Sequence, residues 1–533
     1  MLGSKESKII FIVGLVFNLA VGAYQVFQLD FVYGDSLARV GQAYRVLFSR
    51  DPHLAALGFI WLPLPSILEL PLVIFRDLFP PLVSQGFAGN IITALFSSGV
   101  LVVLNKIFRH FGVSSLFRYS LLALYQLNPM ILLYAASGMT EPIFTFFLLM
   151  GLYHLLQWID NQRAPNLIWM GTAFALASLT RYETVFYALA TILIIVIYML
   201  IRRSGWRKIE STLTLAFLPP VFIGAMWLLA NWIIMGNPFF FAQSPNIASQ
   251  LAGIQRGFMG KVAVGLGESL TFTTQLIATV FPLLFLAALL CLFLYWKGYR
   301  KALVLGAFAL LTPAYLASTT WAGRPLGPWP RYYIYIIPFT ILIMGLFFAY
   351  LQSFKPKLLS LPIIASSLVL ILISGYPVFD AIFYPSKTEG LTGLMATTRR
   401  VMGNWQTESP AFGMISAKAV VNYLKSKDLG GKKILLDTFL GFPIVCLADN
   451  QKDFIQASDR DFMPLLQQPS EEVGYILIPN PGGGGFSQAD AINRVYPDLY
   501  KDGAPWATLE KEFIFHGKSC DWRLYRVNHE KLG

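Results

Sequence analysis

The sequence predicts a mainly α, polytopic membrane helix bundle of about 11 spans, followed by a small C-terminal α/β domain. Three observations carry that expectation. Of 533 residues, 56% are hydrophobic and 13% charged, about half the charged share of an ordinary soluble domain. Mean hydropathy is +0.58. Charge is also unevenly divided: residues 1–379 hold 24 Lys/Arg against 11 Asp/Glu, a net +13, whereas residues 380–533 hold 17 against 18, a net −1. A single soluble domain is excluded, and so is a nucleic-acid footprint, because the basic residues punctuate uncharged runs instead of lining one soluble face. Three cysteines in this length exclude a disulfide scaffold.

Eleven stretches without Asp, Glu, Lys or Arg are candidate spans: 9–29, 78–105, 119–140, 142–159, 164–180, 184–201, 211–255, 269–296, 302–323, 332–354 and 358–379. A transmembrane helix needs about 20 apolar residues. The first run lacks a small-residue cleavage site and reads as an anchor instead of a removed leader. The 119–180 region has short runs and sharp turns. Lys106, Arg109 and Arg118, the cluster Arg202, Arg203, Arg207 and Lys208, and Lys297, Arg300 and Lys301 fall in loops on one side, which the positive-inside rule makes cytoplasmic. An odd span count then puts residues 380–533 outside. There, β-type runs such as Lys433–Asp437 and Gly474–Ile478 alternate with a helical pattern at Ile415–Leu424, and Thr508–Val527 reads as a closing hairpin. Asn480-Pro-Gly-Gly-Gly-Gly485 lacks the Lys-Ser/Thr of a phosphate loop and reads as a turn. Cys446 and Cys520 share this domain, either paired or as free thiols.

With that orientation most acids of the apolar part face outward. The first outer loop, about 30–86, opens with Asp30-Phe-Val-Tyr-Gly-Asp35-Ser-Leu-Ala-Arg39 and continues through His53 and Trp61-Leu-Pro-Leu-Pro65. Asp35 and Arg39 are four residues apart, so in a helix they share a face, suited to taking a hydroxyl proton and holding an anion; an N-cap with a surface ion pair is the bland reading. Glu141 opens a span in Ser-Gly-Met-Thr-Glu-Pro, as a functional carboxylate or a helix cap. Arg181 and Glu183 share a minimal turn, where they pair with each other or meet a ligand. Arg324 and Arg331 flank a Pro-rich stretch before a span, a phosphate clamp or an interfacial anchor. Asn237-Pro-Phe-Phe-Phe241 opens another outer loop. His53 and His154 are isolated, and no His/Cys cluster has metal-ligand spacing.

Taken in order, Gly-Asp35-x-x-x-Arg39 with Trp-Leu-Pro-Leu-Pro, the acid at Glu141, Arg181-Tyr-Glu183, Asn237-Pro-Phe-Phe and Arg331-Tyr resemble the GT-C superfamily of polytopic glycosyltransferases, in particular bacterial members similar to protein O-mannosyltransferases. The resemblance covers about residues 8–350. It implies a transmembrane catalytic domain over 1–379, an extracytoplasmic domain over 380–533, and a multi-pass protein of the plasma (inner) membrane. It also implies transfer of a mannose-like hexose or a pentose, with inversion, from a polyprenyl-phosphate donor to a glycan, lipid or protein acceptor. Asp35 is the implied base and Glu141 a second catalytic acid. Arg331, Arg324 and Arg181 would hold the donor phosphate, and Asp30, Arg39, Glu183, Asn237 and His53 the substrates. No cofactor is assigned; Glu141 and Glu183 would suit a divalent metal. Asp35 is followed by Ser36 where protein O-mannosyltransferases carry Asp-Glu, which leaves the acceptor class open. A transporter or flippase of lipid-linked sugars is the main alternative, disfavoured because the acids gather at one surface without an internal repeat. A non-catalytic envelope assembly protein is a third reading.

Overall fold

A computed structural model describes residues 4–243, 265–322, 330–353, 360–377, 414–482, 489–515 and 520–531. The expected boundary near 379 falls outside these, as do Arg324 and Gly483–Gly485. Among the described residues, seven helices are long and apolar enough to cross a membrane, or eight if one bent pair counts as a single span.

Helix α1 (Lys5–Ala23) starts at Ser4, whose hydroxyl accepts the Ser7 N–H, and extends to Gln28 through a wider turn. The loop that follows folds into α2 (Gly34–Phe48) and α3 (Leu64–Val73), which lie against one end of the bundle. Next come α4 (Phe87–Phe111), α5 (Ser115–Gln126), α6 (Glu141–Asn161), α7 (Ala164–Ser178), α8 (Thr184–Ile201) and α9 (Trp206–Met235). Helices α10 (Leu266–Val280) and α11 (Leu283–Trp296) meet at 98°, because Pro282 withholds an N–H at the junction. Helices α12 (Lys301–Trp321), α13 (Ile336–Gln352) and α14 (Ser360–Ile373) complete the bundle. α4 packs on α1 and α6, α7 on α6 and α9, and α12 on α11 and α13. One continuous apolar cluster runs through these contacts.

The eleven uncharged runs therefore all contain helix, but 119–140 and 269–296 each break into two pieces and 164–180 forms one short helix. Run 119–140 breaks at Asn128-Pro129, where the Asn128 side chain caps a new helix by accepting from the Met130 and Ile131 N–H groups. α7 stops after 15 residues, short of the usual spanning length, and α14 has 14 described residues.

The C-terminal unit holds α15 (Met414–Lys425), β1 (Lys433–Leu436), α16 (Thr438–Leu447), β2 (Phe454–Gln456), β3 (Val473–Pro479), α17 (Ala491–Val495), β4 (Ala507–Phe513) and β5 (Trp522–Val527). Strand order is β2-β1-β3-β5-β4; β1 runs parallel to β2 and β3, and the β4–β5 hairpin adds antiparallel to β3. Every residue of β3 is buried, because apolar clusters cover both faces of the sheet. Cys446 and Cys520 are both free thiols. Cys446 is fully buried, and burial pushes its thiol up to about 12.

Candidate active site

Asp35 stands in the first turn of α2, where the positive helix end favours a carboxylate. Its Oδ2 accepts from Arg331 Nη2 at 3.1 Å; the two side chains remain 28% and 22% exposed, so a ligand can reach both. Arg331 is delivered by the short helical turn Pro330–Tyr333 that leads into α13.

A second ion-pair group is more enclosed. Arg181, in the turn between α7 and α8, donates through Nη1 to Glu141 Oε1 at 3.0 Å and to Thr140 Oγ1 at 3.2 Å, and through Nη2 to Glu183 Oε1 at 2.8 Å. Burial by itself would lower the Arg181 pKa; Glu183, nearby tyrosines and Glu141 outweigh it and hold the guanidinium well above its usual value. The second carboxylate oxygen of Glu141 is buried without a hydrogen-bond partner. Tyr332 joins the two groups, its ring lying 5.0 Å from the Arg181 guanidinium and 5.3 Å from that of Arg331.

Arg39 does share a face with Asp35, but its Nη1 donates to the Asp35 backbone carbonyl at 3.2 Å, and its guanidinium stacks 4.4 Å from the Trp61 ring centre. Burial pushes the Arg39 pKa down against the pull of Asp35. Beneath this turn Ser36 fits against two glycines: a Cβ on Gly138 would stand 1.8 Å from Ser36 Oγ, and one on Gly89 3.0 Å from it and 3.2 Å from Glu69 Oε1. Glu69, carried by α3, is the site residue that sequence reasoning left without a role. It is 2% exposed, and burial drives its carboxyl well above the usual carboxylate range while Arg39 pulls it back. The available signal was a lone acid inside the otherwise uncharged helix Leu64–Val73. Tyr332 stands in the Arg331-Tyr motif, but nothing in the sequence tells that its ring lies between the two arginines.

The remaining candidates lie elsewhere. Asp30 pairs with Lys418 of the C-terminal unit. The His53 ring lies against Asp51, with Nδ1 2.6 Å from the Asp51 carbonyl oxygen. Asn237 caps its own turn, accepting from the Phe239 N–H at 2.9 Å and donating to Gln243 at 2.8 Å. Arg324 lies outside the described residues. Among the described residues, no group of three or more His, Cys, Asp or Glu side chains is close enough to hold a metal ion.

Residues 74–233 match the family model for dolichyl-phosphate-mannose-protein mannosyltransferases. Over that stretch the chain is similar to these GT-C-like mannosyltransferases. No curated protein matches it. The matched stretch of this mannosyltransferase-like chain runs from the end of α3 through most of α9 and includes Glu141, Arg181 and Glu183. Asp35 and Arg331 fall outside it, so their pairing is an observation of the fold alone. With its long apolar helices, the mannosyltransferase-like chain is an integral membrane protein.

Proposed function

We propose that the protein is an inverting glycosyltransferase that moves a mannose-like sugar from a polyprenyl-phosphate donor to an acceptor hydroxyl on the extracytoplasmic face of the plasma (inner) membrane. Residues 1–379 would form its catalytic bundle and 380–533 its outer domain. The observation that carries the reading is the reachable Asp35–Arg331 pair at 3.1 Å, a base and a phosphate-sized cation side by side at one end of a membrane bundle.

A donor phosphate arriving at Arg331 competes with Asp35 for the guanidinium, so binding of the donor releases the carboxylate. The acceptor oxygen then forms its bond to the anomeric carbon while its proton passes to Asp35. The bond from that carbon to the phosphate oxygen breaks, and the electron pair leaves on the phosphate, whose charge Arg331 stabilises. Arg181 already carries two carboxylates, so its contribution is to hold Glu141 and Glu183 in place for substrate hydroxyls. Proton removal contributes about 10²–10⁴-fold, and positioning with charge stabilisation supplies the rest.

Purified protein incubated with a polyprenyl-phosphate mannose and a mixture of glycan and lipid acceptors should form a new glycosidic bond of inverted configuration, and Asp35→Asn should lower turnover by about 10²–10⁴-fold. Wild-type turnover in Asp35→Asn would remove Asp35 as the base. Movement of the donor across vesicles without bond formation would favour the flippase reading instead.

A further inference from the structure

The helix that carries Asp35 belongs to two bodies at once. α2 contributes Leu37, Val40, Ala43 and Tyr44 to an apolar cluster that also contains Met414, Phe442 and Cys446 of the C-terminal unit. The two helices come close at Gly41, where a Cβ would stand 2.8 Å from Cys446 Sγ. One turn earlier, the Cys446 thiol donates to the Leu37 carbonyl at 3.8 Å. α16 thus lies flush on α2 because position 41 has no side chain.

Polar contacts clamp the same surface at both ends. Before α2, Asp30 pairs with Lys418. After it, Arg50 pairs with Asp459 at 3.2 Å and with Asp461, while Arg460 donates from its backbone N–H and its Nε to Asp51 at 3.0 and 2.9 Å. From behind α2, Arg76 donates to the Tyr44 hydroxyl at 2.8 Å, to the Asp449 carbonyl at 2.7 Å and to the Ala448 carbonyl. Arg331, by contrast, is carried by the membrane bundle. The spacing between Asp35 and Arg331 therefore depends on how α2 is held between the bundle, at Ser36, and the C-terminal unit, at Gly41. Gly41 lies less than two helical turns from Asp35, about 9 Å along a stiff rod, so a tilt imposed at the first is carried to the second.

We propose that the Gly41–Cys446 seat makes the C-terminal unit a positioning element for Asp35, so that α16 sets the alignment of the carboxylate with the bundle arginine. This rests on the glycosyltransferase reading. Gly41 and Cys446 are positioning residues and touch no substrate. The same reasoning makes the docked arrangement the active one, with the C-terminal unit working while seated.

The test is a wedge and its relief in the full-length protein. Gly41→Ala puts a methyl group against Cys446 Sγ, and Cys446→Ala removes the atom it meets. In folded, monodisperse protein, Gly41→Ala should lower kcat by about 10- to 100-fold with donor KM held. It should also expose Cys446 to a maleimide that does not label it in the wild type. The double variant Gly41→Ala/Cys446→Ala should recover turnover to within a few-fold of wild type. Wild-type kcat in Gly41→Ala, or a loss that the second substitution does not reverse, overturns the proposal. If Gly41→Ala purifies too poorly to assay, Gly41→Ser poses the same wedge and the same pairing with Cys446→Ala decides. Absence of any transfer by the wild-type protein is a distinct result: it overturns the glycosyltransferase reading, whereas Cys446 labelling still reports whether the seat exists.

Discussion

Asp35 and Arg331 lie 296 positions apart and meet at 3.1 Å. A guanidinium offers a planar fork that a lysine cannot reproduce. Arg331→Gln should therefore lower kcat by about 10²–10³-fold, with Arg331→Lys between it and the wild type, as measured in steady-state transfer assays. Equal losses in the two variants would show that the fork itself is unimportant. Gly138 poses a steric test next to the same turn. It has φ +72, and any Cβ there would stand 1.8 Å from Ser36 Oγ. Gly138→Ala should destabilise the protein by about 1–3 kcal/mol through overpacking alone, seen as a lower thermal midpoint in detergent, and should misplace Asp35 with it. An unchanged midpoint would mean that α2 yields freely at Ser36.

At the scale of elements, the C-terminal sheet contains a pH-dependent feature of its own. Asp437, at the end of β1, accepts from the Phe439 and Ala491 N–H groups, and Asp490 caps α17 through the Ile492 and Asn493 N–H groups. Burial, and then the Asp437 carboxylate, drives the Asp490 carboxyl well above its usual range; burial also raises Asp437, with Arg494 opposing both shifts. The folded state thus keeps protons that the unfolded chain releases above about pH 4. The stability contribution is complete below that value and is lost as pH rises toward the folded-state value. Hydrogen exchange in β1 and β3 should accelerate as pH rises above about 4, beyond the intrinsic base-catalysed rise, and Asp490→Asn should flatten that excess. A larger excess in Asp490→Asn would reverse the assigned sign. The same elements show what was legible beforehand. The helix at 415–424, both strand runs and the closing hairpin followed from local period and turn residues. Strand order did not, because it depends on pairing between segments far apart in the chain.

At the scale of the molecule, charge partition and apolar runs anticipated a membrane bundle with a separate C-terminal unit, and the folded chain has both. One end gathers the basic side: Glu6 bonds Arg109 at 3.0 Å and Arg118 at 2.6 Å, and Lys301 bonds Asp160 at 2.7 Å. The other end holds the Asp35 site and the C-terminal unit. Positive-inside orientation then predicts that a membrane-impermeant maleimide labels Ser470→Cys in intact cells and reaches Lys208→Cys only after permeabilisation. The reverse pattern would put the site on the cytoplasmic side and remove the extracytoplasmic assignment.

By itself the sequence determined the solvent this chain folds in, the two-part organisation and most of the acids and arginines worth considering. Hydrophobic period, charge bias and turn chemistry are local quantities, readable within a window of some twenty residues. Only the tertiary structure decided which of those charges act together. Arg181 is committed to Glu141 and Glu183, Asp30 turns to Lys418, His53 and Asn237 bond locally, and Glu69 and Ser36 both come up against Gly89. Those choices depend on close approaches across long stretches of chain, set by packing at positions such as Gly41, Gly89 and Gly138, where what matters is the atom that is absent.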